Sequence, residues 1–535
     1  MKLRLSLLGF ALLLSLPLLA DDHDHHLDAN EKLGTVSFPT SCSPSVQKAF
    51  ERGVALLHSF EYEVAQHQFE QVAQNDPQCA MAFWGQSISY YHQLWSRPTA
   101  EDSKKAWDLV QKAQAIGKKT QRERDYIDAL AAFFNGYAPA DHEKHSLAYS
   151  QGMAKVYKRH PKDHEAAVFY ALSLLASSND KTGEANAQKA IAILNQLFEQ
   201  EPDHPGIAHY IIHSCDNPKF AGQGLAAARR YAGIAAASPH AVHMPSHIFA
   251  RLGLWQDDIK SNLAALEVSN KQTAMHIHTM HHRMHSMDFL EYAYLQIGDD
   301  AKATGMVDEI LAFKKDDVEQ EFKDYFDAMA ADFPAHYALE RRQWKDALEL
   351  QPRPGIGPSE EAITYWARAI AAGHLRDAAA AQDAATKYEA MLAATVKGPK
   401  PYYAKGMKTD HQEVLAWVAF AQGKNDDALR VVRSIADEQD EKGKPEVALP
   451  AREMLADMLL ALDRPQEALV EYEKSLRVDP NRFNGLYGAA QAAEAAKQPK
   501  KASEYYAQLL KNCDNGDHSD RPELAKAKTL LAEIR

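Results

Sequence analysis

Strand-forming runs and cysteine are scarce in this chain and basic residues are fewer than acidic ones, and each shortage narrows what it can be. From Cys42 to Arg535 apolar and polar residues hardly ever alternate, which excludes a sheet-based fold. Lys and Arg number 60 against 73 Asp and Glu, leaving a net charge of −13. No basic patch interleaved with aromatics stands out, so the sequence predicts no nucleic-acid surface, which needs cations to neutralise phosphates. After residue 20 no apolar run is long enough to cross a bilayer. Nucleophile elbow, phosphate loop, dinucleotide fingerprint and HExxH are missing too, and with them the common hydrolase, NTPase and dehydrogenase signatures.

The one long apolar run is residues 1–20, MKLRLSLLGFALLLSLPLLA, with Lys2 and Arg4 near its start and Ala20 at its end. That is the layout of a signal peptide. An uncleaved membrane anchor is the competing reading, but Pro17 interrupts the run, which is short for a span. No cysteine follows it, so lipoprotein cleavage is not expected. The mature protein is expected to be exported, periplasmic or secreted, without a membrane span. Residues 21–37 open with DDHDHH and read as a disordered His/Asp tail that would hold a metal only weakly.

What the chain has in abundance is histidine. Eleven of its 25 histidines lie between His204 and His285, within HPGIAHYIIH, SPHAVHMPSHIFARLGLW and MHIHTMHHRMHSMDFLEY. Spacing says more than density. His209 and His213 are four apart, as are His243 and His247, and each member of the second pair follows its counterpart by 34 residues. Residues four apart share one face of a helix. Around these segments, Ala-rich stretches carry apolar residues at i, i+3, i+4 and i+7, broken by Gly, Asp, Asn and Pro. The sequence therefore predicts an all-α chain in which one histidine pair is presented on two equivalent helices.

Residues 53–77, GVALLHSFEYEVAQHQFEQVAQNDP, set Gly53, Tyr62, Ala65, Phe69 and Pro77 in order along one helix–turn–helix unit. Ala468, Tyr472 and Pro480 repeat the pattern, and Ala502 and Tyr506 follow 34 residues after the first two. Weaker copies sit at Gly298 and Ala303, Trp344 and Ala347, Gly373 and Ala378, and Gly423 and Ala428, while Gly253 and Trp255 have Asp258 in the usual Ala slot. Over most of its mature length the chain thus resembles the tetratricopeptide repeat (TPR) family, whose period is about 34 residues. HPGIAHYIIH and HMPSHIFARLGLW are similar to segments of a broad set of exported bacterial TPR proteins, from which no established activity carries over. The resemblance implies an all-α TPR solenoid, a right-handed superhelix of antiparallel helix pairs whose A helices line a concave groove. QPRPGIGPSE, from Gln351, is the best boundary between an N-terminal array at 38–350, with the His-rich groove, and a C-terminal array at 351–535. Since such arrays mostly bind proteins or peptides in the groove, a protein or peptide ligand is the first expectation.

On the family's register, His209 and His213 occupy groove positions 5 and 9 of one A helix, and His243 and His247 the same positions of the next. His240 falls at position 2. His285 and Asp288 lie near positions 2 and 5 of the following repeat, with Tyr292 at position 9, and Glu165 could add a carboxylate from the preceding pair. Neighbouring helices pack about 8–10 Å apart, so four imidazoles can converge on one ion at ~2.0–2.1 Å. A single groove histidine is usually a packing or peptide contact; that is the reading for His58 and His92, again 34 apart, while His336, near position 9 of a later repeat, could extend the His-lined groove but stands alone. Pro245 leaves open whether the His243–His247 helix starts or kinks there. Met275, Met280, Met284 and Met287 among five histidines suggest copper, although such stripes commonly pack; zinc and iron stay open. Cys42 and Cys79 sit at the starts of adjacent A helices, whose ends lie together in this stacking, and are expected to form a disulfide. Three functions follow: an exported groove-binding protein with a His-ligated metal, a metalloenzyme with Glu165 or Asp288 as acid or base, and a metal-free interaction scaffold.

Overall fold

The computed structural model describes residues 31–94, 96–274, 280–514 and 519–534. The signal peptide, most of the tail, and Met275, His276 and His278 lie outside the described residues. Antiparallel helix pairs follow one another from Gln47–His58 with Tyr62–Asn75 to Phe483–Ala495 with Pro499–Asn512, and Pro522–Ile534 closes the stack. Among the described residues there are no strands. The chain is an all-α helical-repeat solenoid.

Local chemistry explains where the helices start and stop. Thr120 and Glu123 form a reciprocal capping box, and the side chains of Asp163 and Ser238 accept from backbone N–H groups of the helices they precede. Proline opens Pro205–Cys215, Pro239–His243 and Pro245–Arg251, where its missing N–H has no partner to lose. Within the pairs the first helix ends on a left-handed residue: Phe60 (φ 60°), Gly253 (63°), Gly298 (76°), Arg342 (54°), Arg376 (57°), Gly423 (77°), Asp463 (57°) and Lys497 (58°). That conformation reverses the chain into the second helix.

In an open solenoid the first helix of every pair turns one face to solvent. Here several do not. Every residue from Glu165 to Leu174 is buried in His164–Ala176, and every residue from Ser286 to Gln296 in Met280–Ile297. A helix buried all round has neighbours on every side. Besides the adjacent helices, some of those neighbours come from far along the chain: Gln47–His58 packs on Pro205–Cys215 and sets His58 against Phe169 of His164–Ala176, and Met280–Ile297 packs on Phe483–Ala495. The expected concave groove is therefore filled, over these stretches, by the chain's own helices. Small residues permit it: a Cβ at Gly206 would stand 2.6 Å from His58 Nδ1, and one at Gly253 only 2.2 Å from the Pro480 carbonyl oxygen.

Polar contacts lock the second closure. Arg482, 1% exposed, pairs with Glu340 and Glu453 at 2.8 Å each and donates to the Tyr292 hydroxyl. Tyr292, placed in the groove by sequence register, is instead a buried core residue with its ring against Trp255. Trp255 Nε1 donates to the Asn481 carbonyl at 2.8 Å, and Arg521 pairs with Asp300 at 2.6 Å. The Gln351 stretch is the loop between Trp344–Glu349 and Pro358–His374, yet helices on its two sides are stapled together by these contacts. At the N-terminal end Cys42 and Cys79 are joined by a disulfide, with Cα atoms 4.7 Å apart, while Cys215 and Cys513 are buried thiols. No described helix is long and apolar enough to cross a membrane.

Candidate metal centre

The six sequence candidates for ligation come together, but as two triads rather than as one set of four. His209 and His213, on Pro205–Cys215, are completed by His240 on Pro239–His243. His243 and His247 are completed by His285 on Met280–Ile297. Pro245 separates His243 from His247 into two short helices, yet Met244 between them keeps helical angles (φ −50°, ψ −33°), so the pair still shares a face. The geometry differs on that point from the expectation of four imidazoles on a single ion: each HxxxH pair finds its third imidazole two helices further along the chain.

In the first triad His209 Nε2 lies 3.0 Å from both His213 Nε2 and His240 Nε2. Its Nδ1 donates to the His58 carbonyl at 2.6 Å, so the proton sits on Nδ1 and the Nε2 lone pair faces the other two rings. Phe60 packs on all three, with ring centroids 4.4, 5.5 and 5.3 Å from His209, His213 and His240. The left-handed turn at Phe60 costs about 1–2 kcal/mol for a residue with a Cβ, and it sets this ring over the triad.

The second triad repeats the plan with different supports. His243 Nε2 and His247 Nε2 are 3.0 Å apart. His243 Nδ1 donates to Asn262 Oδ1 at 2.6 Å, and Asn262 is held the right way round because its amide donates to Asp258. The Asp in the usual Ala slot thus has a use. His247 Nδ1 lies 3.0 Å from both Asp216 Oδ2 and Glu446 Oε1, carboxylates that Arg251 also contacts. Three of the six imidazoles therefore have Nδ1 tied to an acceptor while Nε2 points at the other rings, the arrangement found around metal-ligating histidines. His282, buried, stands with its ring 5.7 Å from His240.

Charge follows from burial. Desolvation, followed by neighbouring imidazoles, pushes His209, His240 and His243 well below the usual histidine range and His213 and His285 down to about 3, so these rings stay neutral. His247 is the exception: burial lowers it, but Glu446 and Asp216 outweigh that and hold it up at about 10. Its Nε2–H is then the donor in the contact with His243.

The remaining candidates lie elsewhere. Glu165 is buried between His58 Nε2 at 2.9 Å and His204 Nε2 at 2.8 Å. His204 Nδ1 accepts from the Ile207 N–H and His58 Nδ1 from the Tyr210 hydroxyl, so both rings turn N–H groups, not lone pairs, toward the carboxylate. This triad suits a structural clasp behind His209 better than a metal. Asp288, one turn beyond His285, is buried, and desolvation, then Asp332 and Glu446, raises it well above the carboxylate range. His336 pairs with Asp332 at 3.2 Å and belongs to neither triad. Met284 and Met287 are packed with Ile310, Phe326 and Phe333. Sequence reasoning missed Phe60, Asp216, Asn262, His282 and Glu446. Asp258 was a signal for Asn262; nothing local points to Glu446, 199 residues from His247.

No known protein family and no curated protein matches the sequence. Among solved structures the chain is similar to the human IFIT1 dimer with m7Gppp-AAAA, at 12% identity and a TM-score of 0.36, over 81% of this chain and 90% of that one. The structure of Naa15/Naa10 bound to HypK-THB is similar at 11% identity and a TM-score of 0.23, over 91% and 90%. Scores this low leave the fold to be judged from the helix pairing itself and carry nothing about function.

Proposed function

We propose that this chain is an exported helical-repeat protein whose interior holds transition-metal ions on its two histidine triads. One observation carries the reading: in each triad Nε2 atoms converge to 3.0 Å while the Nδ1 atoms of His209, His243 and His247 are occupied by acceptors behind them. Among His209, His213 and His240, nitrogen lone pairs driven together in a buried site repel unless a proton or a cation sits among them; between His243 and His247 the Nε2 proton of His247 holds the place an ion would take, and three imidazoles make a fitting partial shell for zinc, copper or iron. The opening residues 1–20 and the Cys42–Cys79 bridge support an oxidising, exported setting. Capture of a peptide along the concave face is less favoured, because the chain's own helices fill it around the triads. The test is elemental analysis of protein exported from metal-replete cells. Stoichiometric metal is expected, lost in the His209→Ala/His247→Ala double variant and kept when residues 21–26 are deleted. Metal-free wild-type protein, or loss of metal on tail deletion alone, would refute the proposal.

A further inference from the structure

We propose that the two triads form one dinuclear centre for two monovalent copper ions, one held by His209, His213 and His240, the other by His243, His247 and His285. This rests on the metal reading above and adds the number of ions and their charge.

The pairing comes from one short element. Pro239–His243 gives His240 to the first triad and His243 to the second, and their ring centroids are 6.4 Å apart. Two ions bound through these neighbouring rings are therefore neighbours themselves. Neither could move away without leaving its triad, since His209 and His243 are tied at Nδ1 to His58 and Asn262.

The charge comes from what surrounds them. As ligands both triads offer only neutral imidazole nitrogens, His247 giving up its Nε2 proton to the ion, and neither triad includes a carboxylate or thiolate as a third member. The nearest acids, Asp216 and Glu446, face the back of His247 at Nδ1 and share Arg251, which leaves at most one surplus negative charge. Asp258 is spent on orienting Asn262. The repulsion between two dications is four times that between two monocations at equal distance, and burial of His209, His240 and His243 leaves little solvent to screen it. Sodium and potassium take oxygen ligands; copper(I) is the biological monovalent ion that accepts imidazole nitrogen at low coordination number. The ligand is identified by charge and donor type, since Met284 and Met287 lie in the apolar core.

The experiment uses the full mature chain under anaerobic conditions, titrated with Cu(I) against bathocuproine disulfonate and, separately, with Zn(II). Wild type should take up two Cu(I), His240→Ala and His285→Ala one each, and the pair of substitutions none, with helicity checked by circular dichroism. A second Zn(II) should bind at least about 100-fold more weakly than the first. Copper K-edge absorption of the wild type, which needs no variant, should show a nitrogen-only shell. A plateau at one Cu(I), two equally tight Zn(II), or a sulfur shell overturns the dinuclear copper assignment while leaving metal binding intact. Protein that binds neither ion overturns the underlying reading as well.

Discussion

Closure of the solenoid on itself can be tested with two glycines that differ in one respect. Gly253 and Gly423 both end a first helix with positive φ, 63° and 77°. A Cβ at Gly423 would meet nothing within 4 Å, whereas one at Gly253 would lie 2.2 Å from the Pro480 carbonyl oxygen and 2.9 Å from Asn481 Cβ. Gly423→Ala should therefore cost only the left-handed strain, about 1–2 kcal/mol. Gly253→Ala carries the same strain and also forces the two backbones apart. Two hydrogen bonds cross that seam, Trp255 Nε1 to the Asn481 carbonyl at 2.8 Å and Asn481 Nδ2 to the Gly253 carbonyl at 3.1 Å. Losing both adds about 1 kcal/mol each, so the total should reach about 3–4 kcal/mol. Urea unfolding gives the difference, and hydrogen exchange locates it, since repeat arrays do not always unfold as one unit. Exchange should quicken at 252–256 and 478–484 in Gly253→Ala alone. The same seam brings Glu446 to His247 and the Lys444 carbonyl to Arg251, so metal held by the second triad should weaken in that variant only. Equal costs for the two substitutions, with unchanged exchange, would show that the C-terminal repeats do not sit on Gly253.

Arg482→Met should destabilise by about 3–5 kcal/mol, because Glu340 and Glu453 are left buried without their cation; adding Glu340→Gln and Glu453→Gln should restore most of it, and no restoration would count against the ion-pair account. Cys42→Ala/Cys79→Ala should cost about 4 kcal/mol in the loop-entropy picture for a separation of 37 residues, read as a lower melting temperature that dithiothreitol reproduces in wild type and leaves unchanged in the variant. Glu413 is pushed up to about 8, by burial first, against the hydrogen bond from Trp366. A carboxyl raised on folding binds its proton more tightly in the native state, so its stabilising effect is present below pH about 4.5 and is lost as pH rises through about 8, up to about 5 kcal/mol in all. Glu413→Gln should accordingly flatten the pH dependence of unfolding between pH 5 and 8 and gain on wild type toward the alkaline end; parallel curves would contradict it.

Much of the fold was legible without coordinates. Helical periodicity, Pro and Asp at helix starts, and turn residues such as Gly253, Gly298 and Gly423 are local signals, because helix formation is settled by contacts within four residues and the repeat is set by its nearest neighbour. The same locality placed His209 with His213 and His243 with His247, since a helix brings residues four apart onto one face whatever surrounds it. What the sequence could not determine was anything set across the superhelix. Whether a groove stays open depends on how tightly the pairs wind, a small rotation summed over many repeats; the packing of Gln47–His58 on Pro205–Cys215 filled it at one place, and that of Met280–Ile297 on Phe483–Ala495 filled it at another and put Tyr292 in the core. The division of six imidazoles into two triads, the Nδ1 supports from His58, Asn262, Asp216 and Glu446, and the turning of Glu165 toward His58 and His204 all join residues distant in the chain. Period and pattern determined which side chains share a helix face; only the tertiary structure decided what that face meets, because closure is a property of the whole stack and not of any repeat in it.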